Sequence, residues 1–266
     1  MDGLVLVDKP AGKTSHDLTL LTRRGLGVKK AGHAGTLDPF ATGLLLVLVG
    51  RARRAQRFLM ALPKTYLAVA RFGAVSTTGD PEGEITRTGV LPPADLALPT
   101  GVLRQRPPVY SAVRVQGKRA YERARLGEAL ELPEREVIVT RFEQLWREDD
   151  RAGFLIECSS GTYVRSLIAD LGDAYTEELR RTRVGPFDVA DADPASVLPL
   201  ETALRFLPRV ALHGDAARRA GHGQAVDGEP PDGAGGEVLL IDDDGPIAIA
   251  EPRPGAQLKP IVGFRA

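Results

Sequence analysis

The stretch that organises this chain is Gly32-His33-Ala34-Gly35-Thr36-Leu37-Asp38-Pro39-Phe40-Ala41-Thr42-Gly43. It combines three glycines, one of the four histidines and a single acid, and an apolar run over residues 44–49 follows at once. Glycine lets a backbone adopt positive φ or approach a ligand closely, and the proline after Asp38 disfavours a helical conformation for that residue. A lone carboxylate on such a loop, against the end of a buried strand, is well placed to act on a substrate. The alternative is an ordinary glycine-rich turn with an exposed Asp.

Length and composition favour one large domain, or one domain with a small appendage. The chain has 266 residues, of which 43% are hydrophobic, enough for a packed core. Its single cysteine, Cys158, excludes an intrachain disulfide framework and a zinc cluster of thiolates. The first residues lack the pattern of a signal peptide, and no apolar stretch is long enough to span a bilayer. We therefore expect a cytoplasmic protein.

Charge is distributed unevenly, although the net charge is zero. Residues 1–125 contain 20 Lys and Arg against 9 Asp and Glu, whereas residues 126–266 contain 15 against 26. A basic half of this kind is typical of a surface that binds a polyanion. The alternative is that these charges are spread over the whole surface.

The pattern of apolar and polar residues predicts an alternation of strands and short helices. Strands are predicted at residues 4–7, 44–49, 64–72, 137–145, 154–158 and 179–187. Helices are predicted from the N-cap candidates Thr14 and Ser15 to about Arg24, and over residues 51–60, 163–175 and 199–207. Residues 80–83 read as a turn and residues 92–99 as an irregular connection. After Pro208 the composition becomes rich in Gly, Pro and short apolar runs, which predicts a small all-β module.

Two further features point toward a negatively charged partner. Residues 104–125 interleave seven cationic residues with Tyr110 and Tyr121, a combination that can hold an RNA backbone and its unstacked bases. Arg165 falls in the first turn of a predicted helix, where the helix dipole disfavours a cation, so a nearby anion would explain it. A basic surface segment and a solvated arginine are the alternatives. The turn around Lys13 lacks the spacing of a phosphate-binding loop, which excludes nucleotide hydrolysis of that type.

Five motifs, in order along the chain, resemble those of the TruB-type tRNA pseudouridine synthases. They are Gly3-Leu4…Asp8-Lys9-Pro10…Thr14-Ser15; Gly32-His33-Ala34-Gly35-Thr36-Leu37-Asp38-Pro39…Gly43; Lys64-Thr65-Tyr66; Gln105-Arg106-Pro107-Pro108-Val109-Tyr110-Ser111-Ala112; and Gly161-Thr162-Tyr163-Val164-Arg165-Ser166-Leu167. The last part of the chain resembles a PUA domain.

This resemblance implies an α+β fold in two domains. Residues 1–207 would form a catalytic domain with a mixed, mainly antiparallel central sheet flanked by helices, and residues 208–266 a small all-β, PUA-like RNA-binding domain. The implied activity is isomerisation of uridine 55 in the T-arm loop of tRNA to pseudouridine, by an enzyme that uses no cofactor and no metal. We expect a monomer whose partner is the T-arm stem-loop of tRNA.

The resemblance also assigns roles to seven residues. Asp38 matches the catalytic aspartate, which could attack the sugar, attack uracil C6 or assist glycal formation. Arg165 matches the cation that keeps this carboxylate ionised, and Tyr66 a residue that lies against the uracil ring and helps to remove the C5 proton. His33 would fill the space left by the flipped base. The remaining matches, all near the substrate pocket, are Asp80, Gln105 and Leu179.

One segment departs from the family pattern. Residues 172–178 are shorter and more acidic than the common form, which weakens the assignment of Leu179 but leaves the reaction unaffected. Two other functions stay open on the sequence: a non-catalytic RNA-binding or RNA-folding protein on the same scaffold, and a pseudouridine synthase that acts on another RNA. The set of Asp38, Tyr66 and Arg165 favours an enzyme, because binding alone needs no such acid.

Overall fold

A computed structural model of the chain describes residues 1–108, 132–232 and 236–265, together with the backbone of residues 114–115 and 118–119. Most of the predicted cationic and aromatic segment at 104–125, including Tyr110 and Tyr121, lies outside the described residues. None of the helices in the described part of the chain is long and apolar enough to cross a membrane.

In chain order the strands are β1 (Gly3–Lys9), β2 (Ala31–Ala34), β3 (Thr42–Val49), β4 (Lys64–Phe72), β5 (Ala74–Ser76), β6 (Ile85–Arg87), β7 (Gly101–Gln105), β8 (Arg114–Val115), β9 (Lys118–Arg119), β10 (Arg135–Glu148), β11 (Arg151–Cys158), β12 (Ala174–Val184), β13 (Phe187–Asp188), β14 (Leu198–Pro199), β15 (Arg209–Ala211), β16 (Val226–Asp227), β17 (Val238–Asp242), β18 (Gly245–Arg253) and β19 (Gln257–Gly263). The α-helices are α1 (Ser15–Gly25), α2 (Gln56–Ala61), α3 (Val164–Ala169), α4 (Leu200–Ala203) and α5 (Gly214–Gly221).

A ten-stranded mixed sheet dominates the structure. Its main path runs β14-β1-β3-β12-β4-β11-β10-β7, with β2 added beside β3 and β13 beside β12. Within this sheet β3 and β12 run parallel, whereas the other pairs are antiparallel. The predicted α+β class with a mixed, mainly antiparallel sheet is therefore confirmed.

The paired strands β1 and β3 are buried on both faces of the sheet. Leu4 and Leu46 contribute to one apolar cluster, and Val5 and Val47 contribute to another on the opposite face. A continuous apolar run is what a strand covered on both sides requires, and this explains why the predictions for residues 4–7 and 44–49 are correct.

The first helix begins at the predicted cap. The Thr14 side chain accepts a hydrogen bond from the Asp17 backbone N–H, and the Asp17 carboxylate accepts one from the Thr14 backbone N–H. This reciprocal pair satisfies two backbone donors that helix formation leaves open. The helix ends at Gly25, one residue beyond the prediction.

Several predicted elements have different bounds. Residues 31–34 of the glycine-rich stretch form strand β2 rather than a loop, and residues 50–61 begin as a 3-10 helix before α2. The helix predicted for residues 163–175 is wrong in its second half, because α3 ends at Ala169 and β12 already begins at Ala174. Gly172, at φ +133°, breaks the helix. The acidic residue Glu177 forms ion pairs with Arg71 of β4 and Arg151 of β11, and helical periodicity cannot reveal such contacts.

A second sheet, with strand order β15-β17-β18-β19-β16, contains only residues beyond 208. The prediction of an all-β module there misses α5, a helix of eight residues. Leu239, Ile249 and Phe264 of this part of the chain share one apolar cluster with Leu4 and Leu46 of the large sheet.

We predict that Gly43→Ala destabilises the protein more than Gly12→Ala. Both glycines have positive φ, +103° and +77°, so each substitution strains the backbone, by about 1–2 kcal/mol in the left-handed region. A Cβ on Gly43 would also lie 2.2 Å from the Arg181 carbonyl oxygen, whereas nothing lies within 4 Å of one on Gly12. Urea unfolding of both variants measures the difference, and equal losses of unfolding free energy would contradict the steric account.

Candidate active site

Arg165 stands at the centre of the site and is 4% exposed. It is the second residue of α3, and its side chain contacts two carboxylates. The Nε atom lies 3.0 Å from Asp38 Oδ2, and Nη1 lies 2.8 Å from Asp80 Oδ2. Nη1 also donates to the Thr78 carbonyl over 2.7 Å. These two anions explain a cation at a position where the helix dipole disfavours it.

The loop that carries Asp38 is held by hydrogen bonds from residues at the end of β1 and the start of α1. Ser15 Oγ, at the start of α1, both accepts from the Leu37 backbone N–H and donates to the Leu37 carbonyl, over 2.9 and 3.1 Å. Lys9, fully buried at the end of β1, donates from Nζ to the Pro39 carbonyl over 3.0 Å. The two residues that flank Asp38 are therefore fixed, which limits where its carboxylate can lie.

The groups around Asp38 have opposing effects on the pKa of its carboxyl. Burial raises the pKa of this carboxyl above its usual 3.8, and the negative charge of Asp80 raises the pKa further. Arg165, followed by Lys9 and Arg181, lowers the pKa by favouring the ionised form. One third of the Asp38 side chain, 34%, stays exposed, so a substrate can reach it.

Asp80 lies in the predicted turn and uses both carboxylate oxygens within the protein. Oδ2 contacts Arg165, while Oδ1 accepts from Thr78 Oγ1 over 2.5 Å and from the Glu82 backbone N–H over 3.0 Å. The residue is 3% exposed. Its position fits a partner that orients Arg165.

Tyr66 and Leu179 lie on the neighbouring strands β4 and β12, in one apolar cluster that also contains Leu37. Tyr66 is 9% and Leu179 8% exposed. Burial raises the Tyr66 pKa, and the Arg181 guanidinium opposes this rise. Because Leu37 immediately precedes Asp38, the cluster brings the phenol and the leucine beside the loop of the carboxylate.

Gln105 and His33 lie on two other strands, β7 and β2. The Gln105 amide both donates to the Tyr163 carbonyl over 2.9 Å and accepts from the Tyr163 backbone N–H over 2.7 Å, so it fixes the residue before α3. His33 lies on β2 opposite Val47, half-buried, and its carbonyl accepts from Gln56 Nε2 over 2.7 Å.

Sequence reasoning did not single out two buried cations of the site, Lys9 and Arg181, which are 0% and 1% exposed. The available signals were weak. Lys9 ends an apolar strand just before a proline, and Arg181 is one of three arginines in a strand-like run, where alternation identifies an inward position only once the register is known.

Comparisons with known proteins agree on one family. A sequence model described as TruB family pseudouridylate synthase (N terminal domain) matches residues 23–164. The tRNA pseudouridine synthase B of Thermobifida fusca is 42% identical, over 99% of this chain and 98% of its own length. That of Nocardia farcinica is 41% identical, over 100% and 94%.

Solved structures extend the likeness of the fold. An archaeal box H/ACA sRNP Nop10-Cbf5 complex contains a chain that matches with a TM-score of 0.70 at 24% identity, covering 98% of this chain and 86% of its own. An H/ACA RNP bound to a substrate RNA containing 2′-deoxyuridine matches with a TM-score of 0.71 at 23% identity, covering 99% and 85%.

We predict opposite pKa changes at Asp38 when its two neighbours lose their charge. Arg165→Gln removes a cation and should raise the Asp38 pKa, whereas Asp80→Asn removes an anion and should lower it. Titration of the aspartate ¹³Cγ resonances by NMR reports both, with the wild-type pKa expected above 3.8. Shifts in the same direction would contradict the electrostatic account.

Proposed function

The chain belongs to the TruB family of pseudouridylate synthases, and on this premise we propose that it is a tRNA pseudouridine synthase that isomerises uridine 55 in the T-arm loop. The observation that carries the proposal is the contact of the partly exposed Asp38 carboxylate with the buried Arg165 guanidinium, 3.0 Å apart. The curated relatives that match nearly the whole chain carry the name tRNA pseudouridine synthase B, which supports tRNA as the substrate.

The reaction rearranges atoms within one nucleotide. The bond from C1′ to N1 of uracil breaks, the base turns, and a bond from C1′ to C5 forms; the C5 proton is lost and N1 gains one. The enzyme is therefore an isomerase, and its balance requires no cofactor and no metal. An ionised carboxylate serves as nucleophile or as stabiliser of the positive charge that develops on the sugar.

In this proposal Asp38 is the catalytic carboxylate and Arg165 keeps it ionised against the effect of burial. Tyr66 lies against the uracil ring and helps to remove the C5 proton, and Leu179 completes the apolar wall. Asp80 and Gln105 position the site without contacting the substrate. The side chain of Asp80 binds Arg165, and that of Gln105 binds the backbone before α3.

A uridine inside a folded loop must leave its stack before Asp38 can reach it, at a cost of a few kcal/mol. We propose that His33 takes the vacated place. Its support is its position on β2, on the same continuous segment as Asp38 and five residues before it. One short segment would thus both open the RNA and act on the released base.

We further propose two domains, residues 1–207 for catalysis and residues 208–266 as a PUA-like RNA-binding domain, in a protein that acts as a monomer. The separate five-stranded sheet, formed by residues after 208, supports the division. The excess of Lys and Arg over Asp and Glu in residues 1–125 supports an RNA partner, because phosphate contacts supply much of the affinity of such complexes.

We predict that Asp38→Asn abolishes pseudouridine formation while tRNA affinity stays within roughly tenfold of wild type, since the amide keeps the shape but cannot carry the charge. The assay is incubation of in vitro transcribed tRNA with the protein, followed by mapping of pseudouridine. Asp150→Asn is the matched control, because Asp150 forms a surface ion pair with Arg71 at a remote turn.

A second control tests which nucleotide of the tRNA is modified. A transcript with cytidine at position 55 should yield no pseudouridine in the T-arm. Turnover by Asp38→Asn would refute the catalytic role, pseudouridine at another position alone would refute the uridine 55 assignment, and tight binding without any product would favour a protein that only binds or folds RNA.

A further inference from the structure

Arg181 is a buried cation that the roles above leave without a function. It is 1% exposed and is the largest fully buried side chain in the described residues. Its guanidinium donates from Nε to the Leu44 carbonyl over 2.8 Å and from Nη2 to the Gly35 carbonyl over 3.0 Å. Within the described ranges no carboxylate forms an ion pair with it. A buried charge bound only to neutral groups is costly, which points to a specific task.

One end of this contact fixes the loop of the catalytic carboxylate. Gly35 lies three residues before Asp38 and has φ +95°. A Cβ there would lie 3.5 Å from Arg181 Nη1, an ordinary contact distance, so it is the positive φ of this turn beside the guanidinium that favours glycine. On the other side Gly43 passes so close to Arg181 that a Cβ would overlap the Arg181 backbone. Two of the three glycines in the opening stretch therefore lie beside residue 181, Gly35 next to its side chain and Gly43 next to its backbone.

Arg181 also lies across the sheet from Tyr66. Arg181 and Tyr66 are directly opposite each other on the antiparallel strands β12 and β4, a position that brings two side chains of one face together. Burial raises the pKa of Tyr66, and the positive charge of the Arg181 guanidinium lowers it. The remaining groups that act on Tyr66 are Cys158 of β11 and Asp38, and both raise its pKa.

We propose that Arg181 is a positioning residue that ties the Asp38 loop to the Tyr66 phenol, so that the carboxylate and the proton-accepting group keep a fixed relation while the base turns between them. This inference rests on the proposed roles of Asp38 and Tyr66. The cation favours negative charge at both groups, and its distance from solvent keeps this effect strong.

Two measurements separate this role from a purely structural one. Arg181→Lys keeps the charge but loses the fork of donors, and should slow single-turnover pseudouridine formation about 100-fold, since small displacements of catalytic groups have effects of that size. Arg181→Gln removes the charge and should raise the Tyr66 pKa, measured by ¹³Cζ NMR among the five tyrosines of the chain.

Arg180→Lys is the matched control, because the preceding residue on β12 is 39% exposed and pairs with Asp8 over 2.7 Å. Its rate should stay within about twofold of wild type. If the Arg181 variants do not fold, Gly35→Ala is the second variant for the same two measurements, because it strains the backbone at φ +95° and so disturbs the Gly35 carbonyl that accepts from Arg181 Nη2.

A folded Arg181 variant, or failing that Gly35→Ala, with an unchanged rate or an unchanged Tyr66 pKa would overturn the inference. Failure of the proposed function has a different signature. The wild-type protein would then form no pseudouridine in tRNA, while the Tyr66 pKa would still respond to Arg181.

Discussion

The site depends on one buried guanidinium shared between two carboxylates. Arg165 and Asp80 are each 4% exposed in their side chains, and removing one partner of such a pair costs about 3–5 kcal/mol because the other charge is left without compensation. Asp80 therefore stabilises Arg165, which is then available to Asp38. Asp38, whose side chain is 34% exposed, is the member that a substrate can reach, so burial separates it from the enclosed carboxylate of Asp80.

Hydrogen bonds from side chains hold the backbone around Asp38 and Arg165 in place. Ser15 and Lys9 bind the backbone of the residues on either side of Asp38. Gln105 binds the backbone of the residue before α3, and Arg181 binds the Gly35 carbonyl in the same loop as Asp38. These contacts join segments far apart in the chain, so they form only once the large sheet is assembled. Groups positioned before substrate binding need little reorganisation during a reaction.

The elements that local chemistry determines were predictable from sequence, and those that need a tertiary partner were not. The apolar run of β3, the alternation of β4 and the cap at Thr14 each carry their own signal. The start of β12 does not, because Glu177 is stabilised there by arginines of other strands. For the site, Arg165 in a first helical turn indicated an anion, and the family motifs named Asp38 and Tyr66. The buried state of Arg181 was invisible, because its register depends on Tyr66 across the sheet.

In the proposed mechanism Arg165 acts on the reaction through the ionisation of Asp38. The most direct measurement is the single-turnover rate of pseudouridine formation in unmodified tRNA as a function of pH, for wild type and Arg165→Gln. Without the guanidinium the Asp38 pKa rises, so the variant should be slowest at acidic pH and should approach the wild-type rate as the pH rises. A loss by the same factor at every pH would contradict the account, because it would mean that Arg165 acts by shape or substrate contact alone.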